Sequence, residues 1–179
     1  PAVECLSLGT SQLVDGLAET ADMIAFKHTV FALPFAVIAA VTAAAPGWPS
    51  ATTWAWLAVA MVAARTTAMA FNRLADHRLD ALNPRTCGRA LPAGRLSRHF
   101  AWAVTAVSAA VLLLAAAALN PVCLALAPPA LAVILGYSLA KRFTSASHLW
   151  LGAALGIAPV GAWIAVSGRL DWPALLLAA

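Results

Sequence analysis

Charged side chains are scarce in this chain of 179 residues: they make up 10% of it, whereas hydrophobic residues make up 63%. A soluble globular protein carries about 25% charged residues. The composition therefore argues against a soluble fold and predicts an integral membrane protein. The net charge of +4 does not indicate nucleic-acid binding, because the basic residues lie in short segments between apolar runs, where such residues set topology and contact phosphate groups.

Cysteine is also rare, and the three cysteines, Cys5, Cys87 and Cys123, lack the spacing of a zinc site or a disulfide framework. Residues 1–22 contain acidic residues and no basic one, which is not the pattern of a secretory signal peptide. We predict that residues 1–22 are a polar lead-in and that residues 23–179 form one transmembrane domain.

Long apolar runs dominate the rest of the chain. A spanning helix needs about 20 mostly apolar residues, and five runs meet this length: residues 26–45, 52–71, 100–119, 122–140 and 149–167. A sixth run starts near Trp172 and stops after eight residues. We predict an all-α, polytopic transmembrane helix bundle with five complete spans and the start of a sixth. Because the chain begins without Met and ends inside an apolar run, we also expect it to be the N-terminal portion of a longer protein.

Basic residues follow the second and fourth runs, whereas the turns after the first and third carry no charge. By the positive-inside rule, the N-terminus and the segment after the second run lie on the cytoplasmic side. This predicts a multi-pass protein whose most polar segment faces the cytoplasm.

That polar segment opens with Asn72, Asp76 and Asp80, which recur at every fourth residue. On a helix these positions share one face, and their oxygens form a site suited to a hard cation such as Mg²⁺. Guanidinium groups, which match phosphate oxygens, surround it: Arg73, Arg78, Arg85, Arg89, Arg95 and Arg98. The pattern predicts a metal-bridged polyphosphate at the membrane boundary. The alternative is a solvated helix end with arginines that contact lipid headgroups.

Two further polar positions lie inside apolar runs or at their ends. Arg65 precedes Asn72 by two helical turns on the same face, and a charge inside a membrane helix usually faces a polar cavity. Snorkelling to the interface or a structural ion pair is the alternative. Tyr137 and Lys141 are one turn apart and Arg142 follows, so they form either a second polar cluster or ordinary cytoplasmic anchors.

Residues 65–97 resemble the first aspartate-rich motif and the following loop of the UbiA superfamily of intramembrane aromatic prenyltransferases. The resemblance rests on the N-x-x-x-D-x-x-x-D core, the N-P-R-T turn at residues 83–86 and R-x-L-P-x-G at residues 89–94. Residues 28–35 (HTVFALPF), 137–144 (YSLAKRFT) and 152–163 (GAALGIAPVGAW) also resemble that family. The overall pattern is closest to 4-hydroxybenzoate polyprenyltransferase-like proteins of ubiquinone and menaquinone biosynthesis.

The resemblance implies a nine-helix bundle in a bacterial inner membrane that transfers a polyprenyl group from its diphosphate to an aromatic ring with the help of Mg²⁺. The partners it implies are polyprenyl diphosphate, an acceptor such as 4-hydroxybenzoate or a naphthoate, and membrane lipid. Asn72, Asp76 and Asp80 are then the catalytic, metal-binding residues. The residues expected to contact substrate are Arg65, Arg73, Arg89, Tyr137, Lys141 and Arg142.

One departure from the family's pattern is its second aspartate-rich motif, which nothing here matches, since the only Asp beyond Asp80 is Asp171. We therefore expect this chain by itself to hold half of the metal site and to be inactive. Two other interpretations stay open at this point. One is a transporter or structural bundle in which the Arg/Asp cluster is a gate. The other is a CDP-alcohol phosphotransferase, although the Asp-Gly pair of that motif is absent around Asp76 and Asp80.

Overall fold

The computed structural model describes residues 32–140, 143 and 147–178, and across these ranges the ordered elements are all helices. They are α1 (Leu33–Ala44), α2 (Ala51–Leu82), α3 (Arg98–Leu119), α4 (Pro121–Ala140), α5 (Ser147–Ser167) and α6 (Trp172–Leu176). The prediction of an all-α bundle is confirmed.

Four of these helices, α2 to α5, are long and apolar enough to cross a bilayer. α1 is a shorter apolar helix of 12 residues, and the start of the predicted first span, residues 26–31, lies outside the described residues. The predicted sixth run begins as the five-residue helix α6. The polytopic architecture agrees with the apolar runs of the sequence.

α2 is the longest helix and carries the whole Asn/Asp motif. It begins at Ser50, whose hydroxyl accepts a hydrogen bond from Thr53 N at 3.0 Å, a standard N-cap. It ends at Leu82, because Pro84 disfavours helical geometry at the residue before it. At 1.5 Å per residue, its 32 residues span about 48 Å, well beyond the roughly 30 Å of a hydrocarbon core.

The segment between α2 and α3, residues 83–97, is a series of turns without a helix. We call it the 83–97 loop. Three of its residues, Ala90, Leu91 and Leu96, are buried and pack against α2 and against Ala101 of α3. The loop is therefore folded down onto the helix ends that it joins.

Neighbouring helices in the chain run antiparallel. Between α2 and α3, the hydroxyls of Thr67 and Ser108 form a buried hydrogen bond of 2.8 Å, and the rings of Phe71 and Trp102 lie 5.9 Å apart. From the first contact to the second, the residue number rises along α2 and falls along α3, so the two helices are antiparallel.

α4 and α5 form a second antiparallel pair. Near one end Trp150 Nε1 donates to the carbonyl of Val133 at 2.8 Å. At the other end Asn120 Nδ2 donates to the carbonyl of Ile164 at 2.8 Å. α1 packs on α5 through small side chains such as Ala39 and Ala162, and small residues allow this close approach of helices in membranes.

Candidate functional site

A cavity of about 620 Å³ lies between α2, α3, α4 and α5. Most of its wall is apolar, with leucine, alanine, methionine, valine and isoleucine side chains from all four helices. Such a wall suits a hydrocarbon ligand, because burying apolar surface is favourable and no polar group is left unpaired.

The polar residues of the cavity wall collect at one end of it. Arg65 and Asn72 come from the second half of the stretch of α2 that lines the cavity, residues 57–72, and Tyr137 and Ser138 come from the last turn of α4. α2 is antiparallel to α3, and α4 packs against α3 after a connection of one residue, Asn120, at which the chain reverses. α2 and α4 therefore run in the same direction, and these positions lie toward the same end of the bundle. The cavity is therefore amphipathic: it has a polar end and a long apolar remainder.

Arg65 is the charged residue of this wall. Its Nε is buried and has no hydrogen-bond partner among residues 32–140, 143 and 147–178. An unpaired guanidinium in an apolar span is unfavourable, so its position on a cavity wall indicates a site for an anion. The side chain faces the cavity, as the interpretation of Arg65 as a cavity-facing residue requires.

The three residues of the Asn/Asp motif lie on one helix face, but they are spread along the helix axis. Asn72 lines the cavity, Asp76 follows one turn later, and Asp80 lies eight residues beyond Asn72, which is about 12 Å along the axis. Mg²⁺ binds its oxygen ligands at about 2.0–2.1 Å. One ion can join side chains one turn apart, but it cannot join Asn72 and Asp80.

Asp80 already has a partner. Nη1 of Arg89 donates to both carboxylate oxygens of Asp80, at 2.7 Å and 2.8 Å, and the Asp80 side chain is only 10% exposed. Thr86 Oγ1 also donates to the backbone carbonyl of Asp80 at 3.0 Å. Arg89 thus pairs with the last acid of the motif; the contact with substrate that the resemblance implies for it stays a prediction.

The remaining predicted residues divide in two. Arg73 lies on α2, is partly buried and is not among the residues that line the cavity. Lys141 and Arg142 lie outside the described residues. Ser138, which the sequence reasoning passed over, is almost fully buried on the cavity wall; a hydroxyl next to Tyr137 in an apolar run was the available signal.

The donor set can be tested against the metal that the resemblance implies. The amide of Asn72 and the carboxylate of Asp76 supply hard oxygen donors one turn apart, which fits Mg²⁺. No cluster of three or more His, Cys, Asp or Glu side chains occurs in the part of the chain that the structure describes. A Mg²⁺ ion held here would therefore keep waters or take phosphate oxygens, as Mg²⁺ commonly does.

Comparison with known families decides the relationship. The sequence profile described as the UbiA prenyltransferase family matches residues 32–179. The chain belongs to the UbiA prenyltransferase family. The resemblance inferred from residues 65–97 is confirmed, and UbiA membership together with the four spanning helices makes this an integral membrane protein.

Curated UbiA relatives fall into two groups by name. The chain is 32% identical over 134 residues to a 4-hydroxybenzoate octaprenyltransferase of Methylobacillus flagellatus, covering 75% of this chain and 45% of that protein. It is 34% identical over 158 residues to a protoheme IX farnesyltransferase of Thiobacillus denitrificans, covering 84% of this chain and 51% of that protein. The chain spans about half the length of the curated relatives it matches.

A solved UbiA structure has the same fold. The apo structure of a UbiA homolog from Aeropyrum pernix K1 matches with a TM-score of 0.75 and 37% sequence identity, covering 86% of this chain and 56% of that chain. The described helices thus have the arrangement of a UbiA bundle.

Proposed function

We propose that this chain is part of a prenyltransferase that moves a polyprenyl group from an allylic diphosphate to an aromatic acceptor. The observation that carries the proposal is the amphipathic cavity, with Arg65 and Asn72 at one end and hydrocarbon walls elsewhere. A polyprenyl diphosphate has the same division: a charged head and a long apolar tail. UbiA membership supports the reaction class.

The residues of the polar end take separate roles in this proposal. Arg65 binds the diphosphate with its guanidinium, whose buried Nε has no hydrogen-bond partner in the described part of the chain. Asn72 and Asp76 would hold the Mg²⁺ of the site, and the ion would supply positive charge that stabilises the leaving diphosphate.

The apolar remainder of the cavity takes the tail and excludes water. Side chains such as Leu57, Met61 and Leu112 line it. When the bond between the allylic carbon and the diphosphate oxygen breaks, the carbocation is shielded from hydrolysis. The acceptor ring attacks through carbon and then loses a proton. Tyr137, on the polar end of the wall, is positioned to contact the acceptor or the diphosphate.

Two acceptors follow from the names of the relatives. A 4-hydroxybenzoate-type acceptor, or a naphthoate as in menaquinone biosynthesis, agrees with the relative from Methylobacillus flagellatus, whereas protoheme agrees with the one from Thiobacillus denitrificans. The test is prenyl transfer by this chain extended to the length of its relatives, with each acceptor in turn. Product from neither acceptor, together with prenyl diphosphate binding that persists in excess EDTA, would favour a transporter with an Arg/Asp gate.

The proposed orientation places the 83–97 loop on the cytoplasmic side of a bacterial inner membrane, following the positive-inside rule. Cys87 is an exposed thiol in that loop and offers a direct test in a variant without Cys5 and Cys123. A membrane-impermeant maleimide should label Cys87 only after the membrane is permeabilised. Labelling in intact cells would place the loop on the outer side.

A further inference from the structure

The last acid of the motif makes contacts that differ from those of a metal ligand. Asp80 is buried, both of its carboxylate oxygens accept from one nitrogen of Arg89 at 2.7 Å and 2.8 Å, and its carbonyl accepts from Thr86 Oγ1 at 3.0 Å. Two side chains of the same loop therefore donate to one residue, Arg89 to its carboxylate and Thr86 to its backbone carbonyl.

The chain that follows Arg89 folds down at once. Ala90 and Leu91 are buried together with Leu74 of α2, and the carbonyl of Ala90 accepts hydrogen bonds from the amides of Arg95 and Leu96 at 2.9 Å and 3.1 Å. The Asp80–Arg89 ion pair thus lies at the point where the 83–97 loop attaches to α2.

Distance separates Asp80 from the polar end of the cavity. Asn72 lines the cavity and Asp80 does not, and the two are about 12 Å apart along the helix axis. A single Mg²⁺ ion that binds Asn72 and Asp76 is beyond the reach of Asp80 along a straight helix. To bind a metal, the Asp80 carboxylate would also have to give up its ion pair with Arg89, whose side chain is 38% exposed while that of Asp80 is only 10% exposed, and breaking an ion pair around a mostly buried carboxylate is unfavourable.

We propose that Asp80 is a positioning residue, not a metal ligand: its ion pair with Arg89 fixes the 83–97 loop against the ends of α2 and α3. Asn72 and Asp76 then form this chain's whole contribution to the metal site. The inference refines the metal site of the proposed function and rests on it for that part. The attachment of the loop by Asp80 and Arg89 stands independently of any reaction.

The test compares two isosteric neutralisations one helical turn apart, Asp76→Asn and Asp80→Asn, in the full chain in lipid nanodiscs. Two quantities are measured: hydrogen exchange of the amides of the 83–97 loop, and the affinity for Mn²⁺ in the presence of farnesyl diphosphate, by electron paramagnetic resonance. Hydrogen exchange reports local opening, and the Arg95 and Leu96 amides are internal probes of the loop.

Asp80→Asn should speed exchange in the loop by about tenfold or more, the loss expected for a charged hydrogen bond, and should leave Mn²⁺ affinity within about twofold of the unaltered chain. Asp76→Asn should do the reverse: Mn²⁺ affinity falls by about tenfold or more and loop exchange stays unchanged. Exchange in α4 and α5 should be the same in both variants, which shows that each folds.

Arg89→Gln removes the pair from its other side without altering α2. It should reproduce the faster loop exchange of Asp80→Asn and leave Mn²⁺ affinity unchanged. If Asp80 were a metal ligand, releasing it from Arg89 would raise that affinity. A rise in affinity in Arg89→Gln, a loss in Asp80→Asn that equals the loss in Asp76→Asn, or unchanged loop exchange in either pair variant would each overturn the inference.

The two measurements distinguish failure of the proposed metal site from failure of the inference about Asp80 and Arg89. If the unaltered chain binds no Mn²⁺ with farnesyl diphosphate, the proposed metal site of this chain fails, and loop exchange alone decides the role of the Asp80–Arg89 pair. If Mn²⁺ binds and loop exchange does not respond to either pair variant, the inference fails while the proposed function stands.

Discussion

The polar side chains of α2 and those of the α4–α5 pair serve different purposes. In α4–α5, Trp150 and Asn120 donate to backbone carbonyls of the partner helix, each at 2.8 Å. In α2, Arg65 faces a cavity with a buried Nε that has no partner in the described ranges. Polar groups in a membrane are unfavourable unless satisfied. Satisfied groups therefore indicate structure. A buried, partnerless nitrogen also occurs at Trp163 of α5, but Arg65 is charged and lies on the cavity wall, and this combination indicates a site for a ligand.

This contrast has a practical meaning. Changes at the polar end of α2 should reduce binding and turnover with little loss of stability. Changes in the contacts of α4–α5 should reduce stability first. The four predictions below run from the largest expected effect to the smallest, and each would break the contrast if its result were reversed.

The largest effect is expected for Asp76→Asn in this chain extended to the length of its relatives. Prenyl transfer should fall on the order of a thousandfold, because positive charge held at the leaving group supplies most of the stabilisation of such a transition state. The assay is product formation at saturating prenyl diphosphate and Mg²⁺. Asp171→Asn is the matched control, since Asp171 pairs with Arg169 at 2.8 Å near α6 and should leave transfer unchanged.

Arg65→Leu should weaken prenyl diphosphate binding by about tenfold to a hundredfold, the range for a hydrogen bond to a charged group. The melting temperature should not fall, because the change removes a guanidinium whose Nε is buried and unpaired in the described part of the chain. Binding is followed by calorimetry in detergent. Arg78→Leu, an exposed position on the same helix, is the control. Lost stability with binding intact would make Arg65 a structural residue.

Gly136→Ala tests the α4–α5 contact. A Cβ at Gly136 would lie 2.9 Å from the Trp150 ring, and that ring is held by its hydrogen bond to Val133. Overpacking costs about 1–3 kcal/mol and the better helix propensity of Ala returns up to about 1 kcal/mol, so we expect a net loss of about 1 kcal/mol. Gly152→Ala, where a Cβ meets nothing within 4 Å, should not destabilise the protein in the same thermal unfolding experiment.

The smallest effect is expected for Thr67→Val, on the face of α2 that packs against α3. It removes the buried 2.8 Å hydrogen bond to Ser108, and such bonds in membranes contribute about 0.6 kcal/mol on average. Thr66→Val is the control, because within the described residues the Thr66 hydroxyl bonds to the Val62 carbonyl of its own helix. Stability is measured by unfolding in sodium dodecyl sulfate. A larger effect of Thr67→Val on diphosphate binding than on stability would contradict the division of α2 into a structural face and a cavity face.

The sequence was sufficient for the helices, because twenty-residue apolar runs have one stable form in a bilayer. The starts and ends of the runs after the first fall within two residues of α2 to α5, except that α2 continues from residue 71 to Leu82. The continuation of α2 through Asp80 also follows from the motif spacing. The burial of the 83–97 loop does not, since Ala90, Leu91 and Leu96 show no periodic pattern and their partners come from two helices.

Within the site, the sequence could place Arg65, Asn72 and Asp76 on one helix face. It could not separate these residues from Asp80, the last residue of the motif. A spacing of four residues predicts which side chains share a helix face, but it does not predict the hydrogen-bond or ion-pair partner of each side chain. Arg89 finds Asp80 because the loop folds back, a contact that depends on tertiary structure. The predictions for Lys141 and Arg142 stay predictions, as those residues lie outside the described ranges.

The length of α2 determines how deep in the membrane Asn72 lies. Asn72 is the twenty-second residue of a helix that starts at Ala51, which puts it about 32 Å from the first turn, at the far boundary of a hydrocarbon core of about 30 Å. A lipid with a charged head already rests at that boundary. The head of such a molecule can thus reach Asn72 and Asp76 by lateral diffusion in the membrane, without entering the hydrocarbon core or the aqueous phase. Only the surroundings of its tail have to change.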